Sequence, residues 1–280
     1  MSKRRIAVTG VGLVTPVGIG VTESWKNIIQ GVSGISRITK FDPSNFSSQI
    51  AGEVKNFDPV NYLNPKEARR MDTFIQYGLV AGTEAIKDAG FEVNDSNAHR
   101  IGVSIGSGIG GLGTIEATND TFDAGGPRKV SPFFIPGTII NMISGNLSIM
   151  FGLKGPNTCI VTACTTGTHC IGDAARMIAY GDADIMVAGG SEAAITELSV
   201  AGFASAKALS SRNDDPKTAS RPWDIDREGF VIGEGSGVMV LEEYEHAKKR
   251  GAKIYCELIG YGMSADAYHI TAPSIDGPKR

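Results

Sequence analysis

An α/β fold with a mostly parallel sheet covered on both faces is what this sequence predicts, and three observations carry the prediction. Short β-rich runs alternate with amphipathic helical runs from end to end. The helical runs stop at glycines, as helices do when the next residue must turn left-handed. A length of 280 residues with 41% hydrophobic content is enough to bury a sizeable core, in one large domain or two smaller ones.

The strands are expected over residues 6–9, 100–105, 158–162, 185–188, 237–241 and 253–262. Between them, residues 22–30 place Val21, Trp25, Ile28 and Ile29 on one side and end at Gly31. A second helix is expected over 66–89 before Gly90, and a third over 138–151 before Gly152. A fourth follows Cys164, with Ile171, Ala174, Ala175 and Ile178 at helical spacing before Gly181. Residues 41–64, 119–136 and 210–229 read as long irregular connections, which in compact domains are usually functional loops or rims. Residues 264–280 lose hydrophobic periodicity after what looks like a fresh strand, as if the chain stopped partway through a larger design.

Twenty-seven basic against 30 acidic residues exclude a global positive field for a polyanion, so no nucleic-acid partner is expected and any basic contact must be local. The basic start followed by Ile6 to Val8 superficially resembles a signal peptide. Thr9, Gly10, Gly12, Thr15 and Pro16 interrupt it, and a strand with its turn fits better. No apolar run is long enough to span a bilayer, so the expectation is a cytoplasmic protein without membrane insertion. Cysteines 159, 164, 170 and 256 lack zinc-site spacing and are too few for a disulfide framework. Cys159, Cys170 and Cys256 are expected to be small buried hydrophobes, and no metal site is expected.

Cys164 differs from the other three. In Thr162-Ala-Cys-Thr-Thr-Gly167 a strand runs into a small-residue corner and a helix begins at or just after the cysteine. The sulfur then sits beside unpaired backbone N–H groups, which favour thiolate over thiol and can hold the oxyanion formed when a thioester carbonyl is attacked. Small neighbours leave room for that carbonyl, the logic of a nucleophile elbow with sulfur in place of oxygen.

Across nearly the whole chain the sequence resembles the β-ketoacyl-[acyl-carrier-protein] synthases of bacterial type II fatty acid synthesis, most closely the synthase II form. The resemblance is carried by Val8-Thr-Gly-Val-Gly12 with Thr15-Pro-Val-Gly18, Met71-Asp-Thr-Phe-Ile-Gln-Tyr77, Gly106-Ser-Gly-Ile-Gly-Gly-Leu-Gly113, Gly126-Pro-Arg-Lys129 and Ser131-Pro-Phe-Phe134. It continues through Thr162-Ala-Cys-Thr-Thr-Gly167, Tyr180-Gly-Asp-Ala-Asp184, Ser220-Arg-Pro-Trp-Asp224 and Gly229-Phe-Val-Ile-Gly-Glu-Gly235.

That resemblance implies a thiolase-like fold, layered α-β-α-β-α in the complete subunit. This chain would supply the first half (residues 1–252, with the nucleophile) and the start of the second (253–280). Cys164 falls on the family's acyl-accepting cysteine, which takes a growing chain from acyl carrier protein before decarboxylative Claisen condensation with malonyl-carrier. Ile109, Phe203 and a neighbouring subunit's Phe134 would line the acyl pocket. Lys66, Arg69, Arg70, Arg128, Lys129 and Lys207 occupy positions where the family docks its acidic carrier. The resemblance further implies a homodimer and no cofactor beyond the carrier's phosphopantetheine. The family's two decarboxylating histidines, its lysine and its second oxyanion donor belong to the second half, so this chain alone is expected not to complete condensation.

Of the chain's own histidines, His99 and His246 sit in polar contexts, and His169, five residues after Cys164, should point away from it. His269, with Thr271, is the remaining candidate for the substrate side. Asp224 and Glu234 read as fold-forming, and Trp223 as an anchor for its long loop. Three alternatives stay open: a non-catalytic thiolase-like partner subunit, a polyketide-type ketosynthase, and a dinucleotide-binding oxidoreductase. The last rests on Gly106-Ser-Gly-Ile-Gly-Gly111, which formally satisfies GxGxxG but lacks the acidic residue about twenty positions on.

Overall fold

The computed structural model describes residues 4–274. Its elements in chain order are β1 (Ile6–Thr15), β2 (Gly18–Ile19), α1 (Val21–Ile29), β3 (Ile35–Arg37), β4 (Ile50–Gly52), α2 (Pro65–Ala68), α3 (Thr73–Ala89), β5 (Ile101–Gly106), α4 (Leu112–Gly125) and α5 (Phe134–Thr138). They continue with α6 (Met142–Phe151), β6 (Asn157–Thr158), α7 (Thr166–Tyr180), β7 (Ile185–Glu192), α8 (Glu197–Ser205), α9 (Pro216–Ala219), β8 (Gly235–Glu243), α10 (Tyr244–Lys249) and β9 (Cys256–Glu257).

Among the described residues the main sheet has seven strands in the order β2-β1-β8-β7-β5-β6, with β9 added beside β1. It is mixed rather than mostly parallel. Strands β5, β6 and β7 pair parallel, whereas β8 lies antiparallel to both β7 and β1. The reason is where the chain returns. Leaving β7, it runs through α8 and a long loop without a helix crossing back along the sheet, so β8 must start at the end where β7 finished.

Alternation along the strands builds two cores. In β7, Ile185 and Val187 face a cluster with α3 and α6, while Met186 and Ala188 face a second cluster with α7. All four are at most 2% exposed, and each large side chain so buried contributes about 1.5–3 kcal/mol. Helix α3 lies directly on β1: a Cβ added at Gly12 would come 1.9 Å from the Ala81 carbonyl oxygen, so only glycine permits that approach.

Several expected boundaries move. The helix expected over 66–89 is broken between α2 and α3, because Asp72 caps α3 by accepting from the Phe74 amide and also holds the Thr114 amide and hydroxyl at the start of α4. The helix expected over 138–151 is α6, which begins only at Met142, after the separate short α5 that ends at Thr138. Much of the 119–136 connection is helical: α4 has no buried residue, and a helix without a buried face leaves no hydrophobic periodicity to detect. The strands expected over 158–162 and 253–262 shrink to β6 and β9. The tail after β9 lies along α7, where the Tyr261 ring sits over Gly172 and Arg176. Of the segment expected to open a second half, residues 275–280 lie outside the described residues. Trp223 is 93% exposed and anchors nothing within the described chain.

Candidate active site

The corner before α7 is built as the small residues suggested. Ala163 takes φ +50°, a left-handed conformation costing roughly 1–2 kcal/mol for a non-glycine residue. The Thr162 amide donates to the Thr166 hydroxyl at 2.9 Å, the Thr165 amide to the Thr162 carbonyl at 3.1 Å, and the Thr166 amide to the Ala163 carbonyl. These bonds close a 3-10 turn over Ala163–Thr165 that runs into α7 and leaves Cys164 exposed at the helix mouth. Among the described residues the Cys164 amide in that turn has no acceptor and is available to an oxyanion.

The start of α7 packs close against the end of β5 because glycine admits it. A Cβ at Gly106, the last residue of β5, would come 2.3 Å from the Ile160 carbonyl oxygen and 2.5 Å from Thr166 Cγ2. His169 does not point away from the corner. Its Nδ1 lies 2.7 Å from the Thr162 hydroxyl, because the chain before the helix folds back over it.

Cys164 opens on a cavity of about 690 Å³, within the usual range for small-molecule sites. Its wall includes Ile109, Phe203, Phe230, Ile232 and Glu192. Phe203 from α8 and Phe230 from the long loop meet edge to face at 5.4 Å. Glu234 also reaches the wall, yet its carboxylate is taken up by the Val54 amide at 2.9 Å, the Tyr77 hydroxyl at 3.2 Å and the Lys40 ammonium, in keeping with a fold-forming role. Burial, with Glu234 beside it, pushes the Tyr77 hydroxyl far above its ordinary pKa. Tyr77 therefore serves as a donor only.

Glu192 is the unexpected member. Burial pushes its carboxyl upward, opposed by hydrogen bonds from the Ser107 hydroxyl at 2.7 Å, the Gly108 amide at 2.8 Å and the Ile109 amide at 3.2 Å. The glycine-rich turn that formally matched a dinucleotide motif is thus filled by the chain's own carboxylate. Its amides are not free to cradle a pyrophosphate, which removes the physical basis of the oxidoreductase alternative.

The other sulfurs behave differently. Burial raises Cys159 to about 11 and raises Cys170 as well, so both stay protonated, in unreactive positions. Cys256 is exposed rather than buried, since the short β9 leaves its side chain on the outside. His246 is likewise not a plain surface group: its Nδ1 meets buried Glu242 at 2.6 Å.

Ile109 and Phe203 therefore stand with Cys164, and the structure brings the three together. Phe134, half-buried at the start of α5, is not on this cavity's wall. Lys66, Arg69, Arg128, Lys129 and Lys207 are exposed, and among the described residues none has a carboxylate within ion-pair distance. Arg70 is engaged instead, paired with Glu67 at 3.1 Å and stacked on the Phe133 ring at 4.1 Å. His269 and Thr271 are exposed and off the cavity wall. The ring of His269 closes a local turn by accepting from the Thr271 and Ala272 amides at 3.2 and 3.1 Å. Phe230 and Glu192 escaped the sequence reading. An acidic residue ending a strand after Gly-Gly-Ser, beside a glycine-rich turn, was the available signal for Glu192.

An exposed thiol on a strained corner, at a helix mouth over an apolar cavity, is an arrangement suited to holding an acyl-type group on sulfur. The chain belongs to the β-ketoacyl synthases: the family model described as "Beta-ketoacyl synthase, N-terminal domain" matches residues 3–247. It is 65% identical over 277 residues to the 3-oxoacyl-[acyl-carrier-protein] synthase 2 of Vibrio cholerae serotype O1, covering 99% of this chain and 67% of that protein. Identity to the protein of the same name in Coxiella burnetii is 56% over 273 residues, covering 98% and 66%. Among solved structures, a type II PKS ketosynthase in complex with its acyl-carrier protein, bound to the hexaketide, is similar with a TM-score of 0.88 and 34% identity, covering 98% of this chain and 66% of that one. The fold is accordingly thiolase-like.

Proposed function

We propose that this chain is the nucleophile-bearing part of a 3-oxoacyl-[acyl-carrier-protein] synthase 2, a condensing acyltransferase of fatty acid chain elongation. The observation that carries the proposal is Cys164, exposed at the mouth of an apolar cavity of about 690 Å³. Cys164 Sγ attacks the thioester carbonyl of an acyl carrier. The carbon–sulfur bond to the carrier breaks, the carrier thiol takes the proton, and the acyl chain rests on Cys164 in the cavity between Ile109, Phe203 and Phe230. Malonyl-carrier then loses carbon dioxide, and its enolate attacks the acyl carbon and releases the Cys164 thiolate. That second stage draws on groups of the family's other half, so the chain's own share is acyl transfer.

The unpaired cations Lys66, Arg69, Arg128, Lys129 and Lys207 suit an acidic carrier protein, which complementary charge would steer to the site. Arg70 contributes less, being already engaged. A homodimer accounts for the exposed Ile135, Ile139, Ile149 and Met150 on α5 and its neighbours, and would bring a second Phe134 toward the acyl end. No described helix is long and apolar enough to cross a membrane, in keeping with action in the cytoplasm on carrier-borne substrates without a further cofactor. The intact cysteine weighs against a non-catalytic partner subunit.

The test is mass spectrometry of the folded chain after incubation with an acyl-pantetheine thioester. One acyl group on Cys164, absent in Cys164→Ala, is expected. Acylation confined to exposed Cys256 would overturn the proposal.

A further inference from the structure

We infer that Glu192 is a positioning residue for acyl-chain length: its carboxylate holds the 107–110 turn in the shape that stands Ile109 at the cavity wall. The inference rests on the acyl-cysteine reading above. Both carboxylate oxygens are committed to the turn, Oε1 to the Ser107 hydroxyl and Oε2 to the Gly108 and Ile109 amides. The Ser107 hydroxyl in turn accepts from the Gly110 amide at 3.0 Å, so the whole turn is tied to one acid.

Sheet formation does not explain this arrangement. The β5–β7 pairing ends at Gly106 opposite Gly190, and although the Glu192 backbone continues the ladder with Gly235 of β8, that pairing places no demand on its side chain, which turns to the 107–110 turn instead. Nor does charge pairing, since no cation lies within ion-pair distance of Glu192 among the described residues. A half-buried carboxylate with only neutral donors is costly to keep. What it secures is the turn, and the turn touches both parts of the site. It carries Ile109 into the cavity wall, and a Cβ at Gly108 would lie 2.9 Å from Glu192 Oε2 and 3.3 Å from the carbonyl oxygen of Ala163, the residue before the nucleophile. The turn has few alternatives to lean on, because Gly108 and Gly110 allow it many other shapes once the acceptor is removed.

The experiment measures acylation rates of Cys164 by hexanoyl- and palmitoyl-pantetheine and takes their ratio, which a mere loss of folded protein leaves unchanged. Glu192→Ala should raise the palmitoyl-to-hexanoyl ratio about tenfold, the scale of one lost buried hydrogen bond. Glu192→Gln should restore it, since its carbonyl can accept from both amides while its NH₂ donates to Ser107. In an Ile109→Ala background, Glu192→Ala should add nothing further to the ratio. If Glu192→Ala fails to fold, Ser107→Ala provides the same reading with a smaller shift. Equal slowing of both substrates, or effects of Glu192 and Ile109 that multiply independently, would overturn the inference alone. Absence of any acylation at Cys164 in the unaltered protein would instead overturn the acyl-cysteine reading and this inference with it.

Discussion

Two carboxylates at opposite ends of the central sheet, Glu192 and Glu242, are held in opposite ways. At the site end, Glu192 closes β7 and is surrounded by neutral donors. At the far end, Glu242 near the close of β8 pairs in register with Ile185, the first residue of β7, and is fully buried. It accepts from Arg250 Nε and Nη2, each at 2.7 Å, and from His246 at 2.6 Å. Burial pushes both carboxyls up. At Glu242 the bonds from Arg250 and His246, with the Arg250 charge, outweigh burial and leave it below its ordinary value, whereas at Glu192 burial wins. Asp184, also at the far end, is drawn down to about 2, first by its hydrogen bond from Arg100 and, against burial, by Arg4 as well. The far end is clamped by fixed ions. At the site end Glu192 is held by neutral hydrogen bonds alone, although nearby Glu234 keeps its ion pair with Lys40.

That contrast can be broken most readily at Glu242. Glu242→Ala strands Arg250 and His246 and should cost about 3–5 kcal/mol, read as a lower urea midpoint at unchanged slope. A cost below 1 kcal/mol would mean that the far end is not the clamp. A smaller effect is expected from Gly106→Ala at the site end. Its new methyl meets the Ile160 carbonyl, Thr166 and, at 3.0 Å, Cys170 Sγ, and should destabilise by about 1–3 kcal/mol. Alkylation of Cys164 by iodoacetamide should change in the same variant, because the corner must move.

The smallest effect sharpens the comparison through its sign. Asp184 is depressed from 3.8 to about 2, so its stabilisation is fully present above 3.8 and is lost as pH falls through about 2. Asp184→Asn should therefore cost about 1 kcal/mol at neutral pH, after solvent screening, and almost nothing in strong acid. Glu192 is raised above 4.5, so its contribution is present below 4.5 and lost as pH climbs through the folded value. Glu192→Gln should flatten the curve on that side. Unfolding free energies measured across pH for the two variants should diverge in opposite directions.

Local signals placed Cys164 at its corner and much of the frame. The 162–167 corner, the three- and four-residue spacing after Cys164, and the glycine stops at 90, 152 and 181 each act within one turn or one strand. They are therefore legible in the sequence itself, as was the continuous apolar run over 185–188 that became the buried centre of β7. Helix α4 was not, because a helix that buries nothing carries no pattern. Nor was the antiparallel insertion of β8 between β1 and β7, which depends on the end of the sheet from which the chain returns. The cavity joins Ile109, Cys164, Phe203 and Phe230 from four separate segments, and Glu192 acquires its role by meeting a turn 83 to 85 residues earlier. The residues chose the exposed cysteine and its corner. Only tertiary packing, which decides which distant side chains share a wall and which carboxylate finds a cation, could choose the pocket and what holds it.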